Sequence, residues 1–203
     1  MTPLEEAFGQ IDIYLFDQVL RGRIPAGATV LDAGCGGGRN LVYFLRNGYR
    51  VFGVDEDEAA VEGVRRLAGA LAPELPAEHF RWERVEAMSF PEGMADVVLS
   101  SAVLHFARDE EHFEAMLRGS WRVLRPGGVF FCRLASSIGM EARVRPLGRG
   151  RYGLPDGSER YLVTAEALAR WERALGARRL DPLKTTVVED QRSMTTWVLT
   201  KGV

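Results

Sequence analysis

Features that would assign a chain of 203 residues to a special class are scarce in this sequence. Its only cysteines are Cys35 and Cys132, too few for a disulfide framework, which favours a reducing compartment. No apolar run approaches the roughly 18 residues that a transmembrane helix needs. The N-terminal residues lack the basic start and apolar segment of a signal peptide. We therefore expect a cytoplasmic protein without a membrane partner.

Lysine is also rare, since Lys184 and Lys201 are the only two and arginine carries nearly all the positive charge. The net charge of −2 and the sequence pI near 6.0 give no overall basic character, so we expect no nucleic-acid partner. Clusters of His, Cys and acidic residues with metal-ligand spacing are missing, so we expect no metal site. With 46% hydrophobic residues, the chain can bury an ordinary core as a single domain.

Short apolar runs alternate with amphipathic segments, which predicts a doubly wound, mostly parallel α/β sheet. The predicted helices are one from a capping box at Thr2 to about residue 20, then 40–46, 57–71, 108–124 and 164–175. The predicted strands are 28–31, 49–54, 80–85, 95–100 and 129–134, with an antiparallel hairpin formed by 179–188 and 193–200. The run Arg125-Pro126-Gly127-Gly128 predicts a sharp turn before the fifth strand.

Within one domain we distinguish an N-terminal cap (1–27), a cofactor-binding core (28–135), a lid insertion (136–163) and a last helix with its hairpin (164–203). The lid segment is rich in glycine and arginine and shows no regular pattern, so it is either disordered or a functional lid. Its arginines could receive an anionic substrate or could be solvated loop charges.

The most informative stretch is Val30 to Asn40, in which an apolar run ends in Asp32 and is followed by glycines 34, 36, 37 and 38. A strand, a glycine loop and a helix N-terminus in this order let the backbone lie against a ligand. A phosphate-binding P-loop is excluded because Arg39-Asn40 supplies no Lys-Ser/Thr pair. A dinucleotide fingerprint is excluded because Arg39 replaces its third glycine, and Asp32 would repel a pyrophosphate.

A second carboxylate, Asp55, ends the next predicted strand about twenty residues downstream, where it can accept both hydroxyls of a ribose. Asp32 in turn suits a ligand with a positive group. A cationic ligand that bears ribose and lacks phosphate indicates S-adenosylmethionine.

These residues, with Gly53-Val54-Asp55, the run 96–100 and Leu124-Arg125-Pro126-Gly127-Gly128, resemble the class I S-adenosylmethionine-dependent methyltransferases. The resemblance covers about 28–134 and implies a seven-stranded sheet with a terminal antiparallel hairpin. It implies that the methionine and ribose lie along the backbone of Gly34, Gly36 and Gly38. It also implies that Asp32 serves the amino group and Asp55 the ribose.

By the same resemblance, Glu86 and Ala87 would meet the adenine edge, although the family more often has aspartate at position 86. Residues 100–103 would line the mouth through which the methyl group moves. The full set of predicted cofactor contacts is Asp32, Gly34, Cys35, Gly36, Gly38, Asn40, Asp55, Glu56, Glu86, Ala87, Ser100 and Ser101.

His105 is the only titratable side chain just after the fourth strand, so it is the candidate catalytic base if the acceptor must lose a proton. Otherwise it shapes the pocket wall. His79 and His112 lie on segments that resemble surface. The predicted function is in-line methyl transfer to a small-molecule acceptor, with S-adenosylhomocysteine as product.

Two alternatives stay open. The run Gly38-Arg39-Asn40 and the chain length resemble the tellurite-resistance methyltransferase group, which implies a tellurite or selenite acceptor. That group has a His-Arg pair near its final hairpin, whereas this chain has Gln191-Arg192. The other alternative is a protein that binds S-adenosylmethionine without turnover.

Overall fold

A computed structural model describes residues 2–202 of the chain. Its α-helices are α1 (Pro3–Phe8), α2 (Ile13–Leu20), α3 (Val42–Arg46), α4 (Glu58–Leu71), α5 (Glu110–Val123) and α6 (Ala165–Leu175). Its strands are β1 (Thr29–Ala33), β2 (Arg50–Asp55), β3 (Phe80–Trp82), β4 (Ala95–Ser101), β5 (Leu124–Ala135), β6 (Arg145–Gly148), β7 (Arg151–Gly153), β8 (Glu159–Tyr161), β9 (Ala177–Arg179), β10 (Lys184–Val188) and β11 (Arg192–Lys201). Short 3₁₀ turns span Ala77–His79, Val85–Ala87 and Leu104–Phe106.

The main sheet has the strand order β3-β2-β1-β4-β5-β11-β10, with β9 also pairing with β11. The five strands from β3 to β5 run parallel, and β11 is antiparallel to β5 and to β10. The predicted α/β fold with a terminal antiparallel hairpin is therefore confirmed. Parallel strands place their carboxyl ends at one edge, and this edge carries the site described below.

Helices cover both faces of the sheet, as the continuous apolar strands require. On one face, helix residues such as Leu15, Phe44 and Val64 pack on the sheet. On the other face, Phe113 and Trp171 do so. No helix that the structure describes is long and apolar enough to cross a membrane.

The predicted single N-terminal helix is wrong beyond its start. The capping box at Thr2 is confirmed, but α1 ends at Phe8 and a second helix begins after Asp12. Gly9 has φ +61°, and an added Cβ there would lie 2.7 Å from Cγ2 of Val42, so the chain turns where α1 meets α3. Asp12 then caps α2 by accepting a hydrogen bond from the Tyr14 amide at 2.9 Å.

Three strand boundaries also differ from the prediction. β3 stops at Trp82 because its partner β2 ends at Asp55, and the predicted last residue of the strand, Val85, begins the 3₁₀ turn Val85–Ala87. The predicted turn at 125–128 lies inside β5, where the register shifts and Gly127 takes φ +73°. The predicted strand 179–188 is split into β9 and β10 around Pro182, which has no amide hydrogen to donate.

The lid segment is ordered, contrary to its patternless sequence. β6, β7 and β8 form a separate antiparallel sheet of three short strands. Tyr161 of β8 stacks on Phe113 of α5 with ring centroids 4.8 Å apart, which holds this small sheet against the core. Thr164 caps α6 and Gly176 ends it in the left-handed conformation, as predicted.

Candidate active site

A cleft of about 590 Å³ opens at the carboxyl ends of β1, β2 and β4. Its lining combines the glycine loop, the end of β2, the turn after β3, the turn after β4 and the start of α5. The lining residues are Gly34, Cys35, Gly36, Gly37, Arg39, Asn40, Asp55, Glu56, Asp57, Arg84, Val85, Glu86, Ser101, Ala102, Val103, Phe106, His112 and Met116.

The glycine loop is held against β2 by its backbone. The amides of Gly34 and Cys35 donate to the Val54 carbonyl at 2.9 and 2.8 Å. Gly34 has φ +89°, and a Cβ there would overlap the side chain of Val103. Only glycine fits this position, so the turn after β4 can approach the loop closely.

Asp55 is fixed by two backbone hydrogen bonds at the end of β2. Its Oδ2 accepts from the Gly36 amide at 2.8 Å, and its Oδ1 accepts from the Asp57 amide at 3.0 Å. Asp57 caps α4 by accepting from the Ala59 amide at 2.9 Å. The Asp55 carboxylate therefore joins the glycine loop to the start of α4 and faces the cleft in a defined orientation.

Asp32 lies beneath the loop and is 1% exposed. Neither of its carboxylate oxygens has a hydrogen-bond partner among residues 2–202. Burial raises the pKa of Asp32 to about 8; the nearby Arg39 guanidinium opposes this rise, and the Asp55 carboxylate adds to it. A buried carboxyl without a partner is costly, and a cationic group of a ligand would relieve that cost.

At the far end of the cleft, Glu86 and His112 lie side by side, with Glu86 Oε1 3.3 Å from His112 Nε2. The Arg108 amide donates to Nδ1 of the same ring at 3.2 Å. Val85 and Met116 supply apolar walls beside them. This arrangement of a polar edge between apolar surfaces suits a flat heterocycle.

His105 lies outside the cleft lining and is 6% exposed. Its Nδ1 accepts a hydrogen bond from the Ala135 amide at 3.1 Å, so the lone pair that a base would use is engaged. Burial, with a smaller effect of Arg160, lowers the pKa of His105 to about 4. The catalytic-base role therefore stays a prediction without support from this geometry.

Four predicted cofactor contacts lie outside the lining: Asp32, which is buried beneath the loop, and Gly38, Ala87 and Ser100. Gly38 has φ +84°, and a Cβ there would lie 2.8 Å from both Val64 and Leu67, so this glycine admits α4. Cys35 lines the cleft, and burial raises the pKa of its thiol well above the ordinary value.

Sequence reasoning missed several lining residues. His112 and Met116 belong to α5, and only the fold brings its first turns to the cleft. Ala102, which belongs to the predicted mouth 100–103, follows β4 with φ 64°, a rare conformation for a residue with a Cβ and one that often marks functional sites. Arg39, which was not among the predicted contacts, lies in the lining and donates to Ser101 Oγ at 3.2 Å.

The lid arginines divide into two kinds. Arg143, Arg149 and Arg151 form ion pairs with carboxylates. Arg160 instead places its guanidinium 4.9 Å from the ring centroid of Phe106, a cleft residue that is 59% exposed. Most of this charge is therefore neutralised locally.

A family model described as a methyltransferase domain matches residues 31–132. An S-adenosyl-L-methionine-dependent Diels-Alderase of Talaromyces variabilis is 38% identical over 110 residues, 53% of this chain and 36% of that protein. A probable S-adenosylmethionine-dependent methyltransferase of Mycolicibacterium smegmatis is 33% identical over 125 residues, 60% of this chain and 45% of that protein. This chain thus spans less than half the length of both relatives.

Among solved structures, the fold is similar to that of 1,6-didemethyltoxoflavin-N1-methyltransferase of Burkholderia thailandensis with bound 1,6-didemethyltoxoflavin and S-adenosylhomocysteine. The TM-score is 0.70 with 24% identity, and the likeness covers 93% of this chain and 76% of that one. It extends beyond the glycine-loop core to nearly the whole chain.

Proposed function

The chain belongs to the class I S-adenosylmethionine-dependent methyltransferases, and from that premise we propose that it methylates a small-molecule acceptor. The observation that carries the proposal is the buried carboxylate of Asp32, which has no hydrogen-bond partner among residues 2–202 and lies beneath a glycine loop that Asp55 holds in place. The cleft volume of about 590 Å³ is suited to small ligands.

The residues present fit S-adenosylmethionine, the cofactor of this family. Asp32 would attract its ammonium group, and the fixed Asp55 carboxylate would accept the ribose hydroxyls. The backbone at Gly34 and Gly36, which lines the cleft, would lie along its chain, and the Cβ position of Gly36 is open. Glu86 and His112 would meet the adenine edge.

When bound, this cofactor supplies a methyl group on a positively charged sulfur, so the protein need only align the acceptor and exclude water. Val103, Phe106 and Met116 provide the apolar surface for that exclusion. Ser101, the last residue of β4, and Arg39, which donates a hydrogen bond to it, supply polar groups at the end of β4. His105 stays neutral and supports the end of β5 through Ala135.

A second candidate is an S-adenosylmethionine-dependent protein that does not transfer methyl groups. The similarity to a Diels-Alderase favours it, since that relative is described by a different reaction. The tellurite or selenite alternative gains no support from Arg192, which is exposed at the start of β11 and lies outside the cleft lining.

The decisive experiment measures S-adenosylhomocysteine formation from S-adenosylmethionine with a panel of small phenols, amines and carboxylic acids, with transfer RNA as a macromolecular control. We expect product with at least one small acceptor and none with RNA. Tight cofactor binding without product from any acceptor would favour the second candidate.

For the cofactor site itself, we expect Asp55→Ala to weaken S-adenosylhomocysteine binding by about 1–3 kcal/mol, because charge-assisted hydrogen bonds are lost. Isothermal titration calorimetry measures this change. Glu58→Gln is the matched control, since it removes an exposed acid from the first turn of α4 outside the cleft lining. Equal affinity of wild type and Asp55→Ala would contradict the ribose assignment.

A further inference from the structure

A row of four polar side chains crosses the sheet away from the glycine loop. The register pairs Ser101 of β4 with Arg133 of β5, Arg133 with Thr196 of β11, and Thr196 with Lys184 of β10. Residues paired in register place their side chains on the same face of a sheet. The row therefore begins at Ser101 in the cleft and continues under α2.

Two members of this row keep buried polar atoms without partners. Thr196 is 3% exposed, and its Oγ1 has no hydrogen-bond partner among residues 2–202. Nε of Arg133 is likewise buried and unpartnered within that range. The guanidinium of Arg133 donates a hydrogen bond through Nη1 to Asp12 Oδ2 at 3.0 Å. Unpaired buried donors are costly, so neighbouring ones point to a missing acceptor.

Helix α2 covers the row with carboxylates. Asp12 pairs with Arg133, and Asp17 Oδ2 accepts from Lys184 Nζ at 3.0 Å. The Tyr14 ring lies between these cations, 5.4 Å from the Arg133 guanidinium carbon and 6.0 Å from the Lys184 nitrogen. Both positive groups thus already donate hydrogen bonds to carboxylates of this chain.

We propose that this row is the acceptor subsite and that the acceptor carries an anionic oxygen group, such as a carboxylate, which docks on Arg133 and Thr196. This proposal rests on the methyl-transfer function above. Nε of the guanidinium and the Thr196 hydroxyl donate to the anion, and Lys184 adds positive charge. Ser101 joins this subsite to the cleft that holds the cofactor.

Anchoring of α2 alone does not account for the row. The ion pairs to Asp12 and Asp17, with the 2.8 Å contact of Tyr14 Oη to Thr186 Oγ1, already fix the helix. Holding α2 in place would not require a buried hydroxyl at position 196, because a valine side chain has the same shape as threonine. The acidic side chains of the cleft lie at the ends of β1 and β2 and beside β3. The row beyond β4 carries two cations, each paired with one carboxylate, Asp12 or Asp17.

The test compares Thr196→Val with Thr195→Val. Thr195 lies on the opposite face, where its hydroxyl contacts Ser136 Oγ at 2.7 Å and Thr185 Oγ1 at 2.8 Å. We expect Thr196→Val to melt at or above the wild-type temperature and Thr195→Val to melt below it. Arg133→Gln is a second variant of the subsite.

The probes are benzoate, 4-hydroxybenzoate and selenite, added to the protein saturated with S-adenosylhomocysteine, with benzamide and methyl 4-hydroxybenzoate as neutral counterparts. Ligand-observed NMR measures binding. We expect an anion to bind in preference to its neutral counterpart. We expect Thr196→Val and Arg133→Gln to weaken that binding about tenfold or more, since charge-assisted hydrogen bonds are lost. Thr195→Val leaves it unchanged.

The two carboxylates and selenite separate an organic acid from an inorganic oxyanion as the preferred class. Failure of every anion to bind, equal binding of neutral counterparts, or unchanged affinity in Thr196→Val overturns the subsite. Anion binding without S-adenosylhomocysteine formation from S-adenosylmethionine supports the subsite and counts against methylation of those probes. Methylation of a neutral acceptor at wild-type rates in Thr196→Val overturns the subsite and leaves the proposed function standing.

Discussion

Asp32 shows how a single residue couples cofactor binding to protonation. Its carboxyl is buried beneath the glycine loop, without a partner among residues 2–202, and burial raises its pKa to about 8. At neutral pH it is therefore mostly protonated in the ligand-free protein. An ammonium group beside it would favour the ionised form, so binding and deprotonation are linked.

The first prediction concerns this linkage. We expect S-adenosylhomocysteine to bind more tightly as pH rises from 6 to 8, and to release a proton when it binds at pH 7. Calorimetry in buffers of different ionisation enthalpy measures the number of protons released. In Asp32→Asn the release should disappear; wild-type release that persists in this variant would contradict the assignment.

The same residue predicts a trend in stability. The pKa of Asp32 is raised above its ordinary 3.8, so its contribution to the free energy of unfolding is present at low pH and is lost as pH rises through about 8. We expect ligand-free Asp32→Asn to be more stable than wild type at pH 8 by roughly 2–4 kcal/mol, because the buried charge is removed. Urea unfolding at pH 5 and pH 8 tests this, with the smaller difference expected at pH 5.

Individual residues of the site were predictable where they end strands. Asp32 and Asp55 could be proposed as candidates because a carboxylate after an apolar run, repeated after the next strand, has few structural explanations; their contacts with the cofactor stay predictions. His112 could not be identified, since its position depends on how α5 returns to the cleft. A Cβ at Gly38 would meet Val64 and Leu67 of α4, which gives this glycine a packing role, and its contact with the cofactor stays a prediction.

At the scale of elements, the glycine loop is shaped by what packs on it. Gly34 must admit Val103 from the turn after β4, whereas Gly37 has a φ outside the left-handed range and open space around its Cβ position. Neighbouring glycines of one loop thus differ in what they require. The spacing of these glycines in the sequence does not reveal this difference.

We predict that Gly34→Ala destabilises the protein by roughly 2–4 kcal/mol and abolishes cofactor binding, because the new methyl group overlaps Val103 and the φ is unfavourable. Gly37→Ala is the control and should change the free energy of unfolding by less than about 0.5 kcal/mol. Thermal unfolding and calorimetry measure both effects. Similar losses in the two variants would show that the loop is generally intolerant of side chains.

Short elements explain most of the errors in the predicted fold. The strands of the lid have three or four residues, too few for alternation to be visible among glycines and arginines. Gly150, with φ +79°, admits the Tyr161 ring that docks this small sheet. The break between α1 and α2 depends on contact of Gly9 with Val42 of α3. Such contacts are tertiary and have no signature in the local sequence.

At the scale of the whole molecule, the sheet could be predicted because its strands alternate with long helices. The exact ends of the strands could not be predicted, because they depend on the neighbouring strands. The parallel order follows from alternation of strands with helices on both faces. The buried His105 then links the turn after β4 to the end of β5 through the Ala135 amide, so its ionisation affects the whole fold.

We predict that acid destabilises the protein through this histidine. Its pKa is lowered from the ordinary 6.5 to about 4, so the unfolded chain binds more protons between these values. The free energy of unfolding should fall as pH drops from 6.5 towards 4, by up to about 3 kcal/mol from this group. Urea unfolding of wild type and His105→Gln at pH 7 and pH 5 measures it, and parallel losses in both would contradict the prediction.

The position of β11 has a consequence for how the chain is made. β11 lies between β5 and β10, although it comes after both in the sequence. During synthesis the parallel strands β1 to β5 can pair as they emerge, but β5 keeps an open edge until residues 192–201 leave the ribosome. An open strand edge is prone to pair with other chains. Shortening the protein from its C-terminal side into β11 would therefore remove an interior strand and leave the nascent sheet open to aggregation.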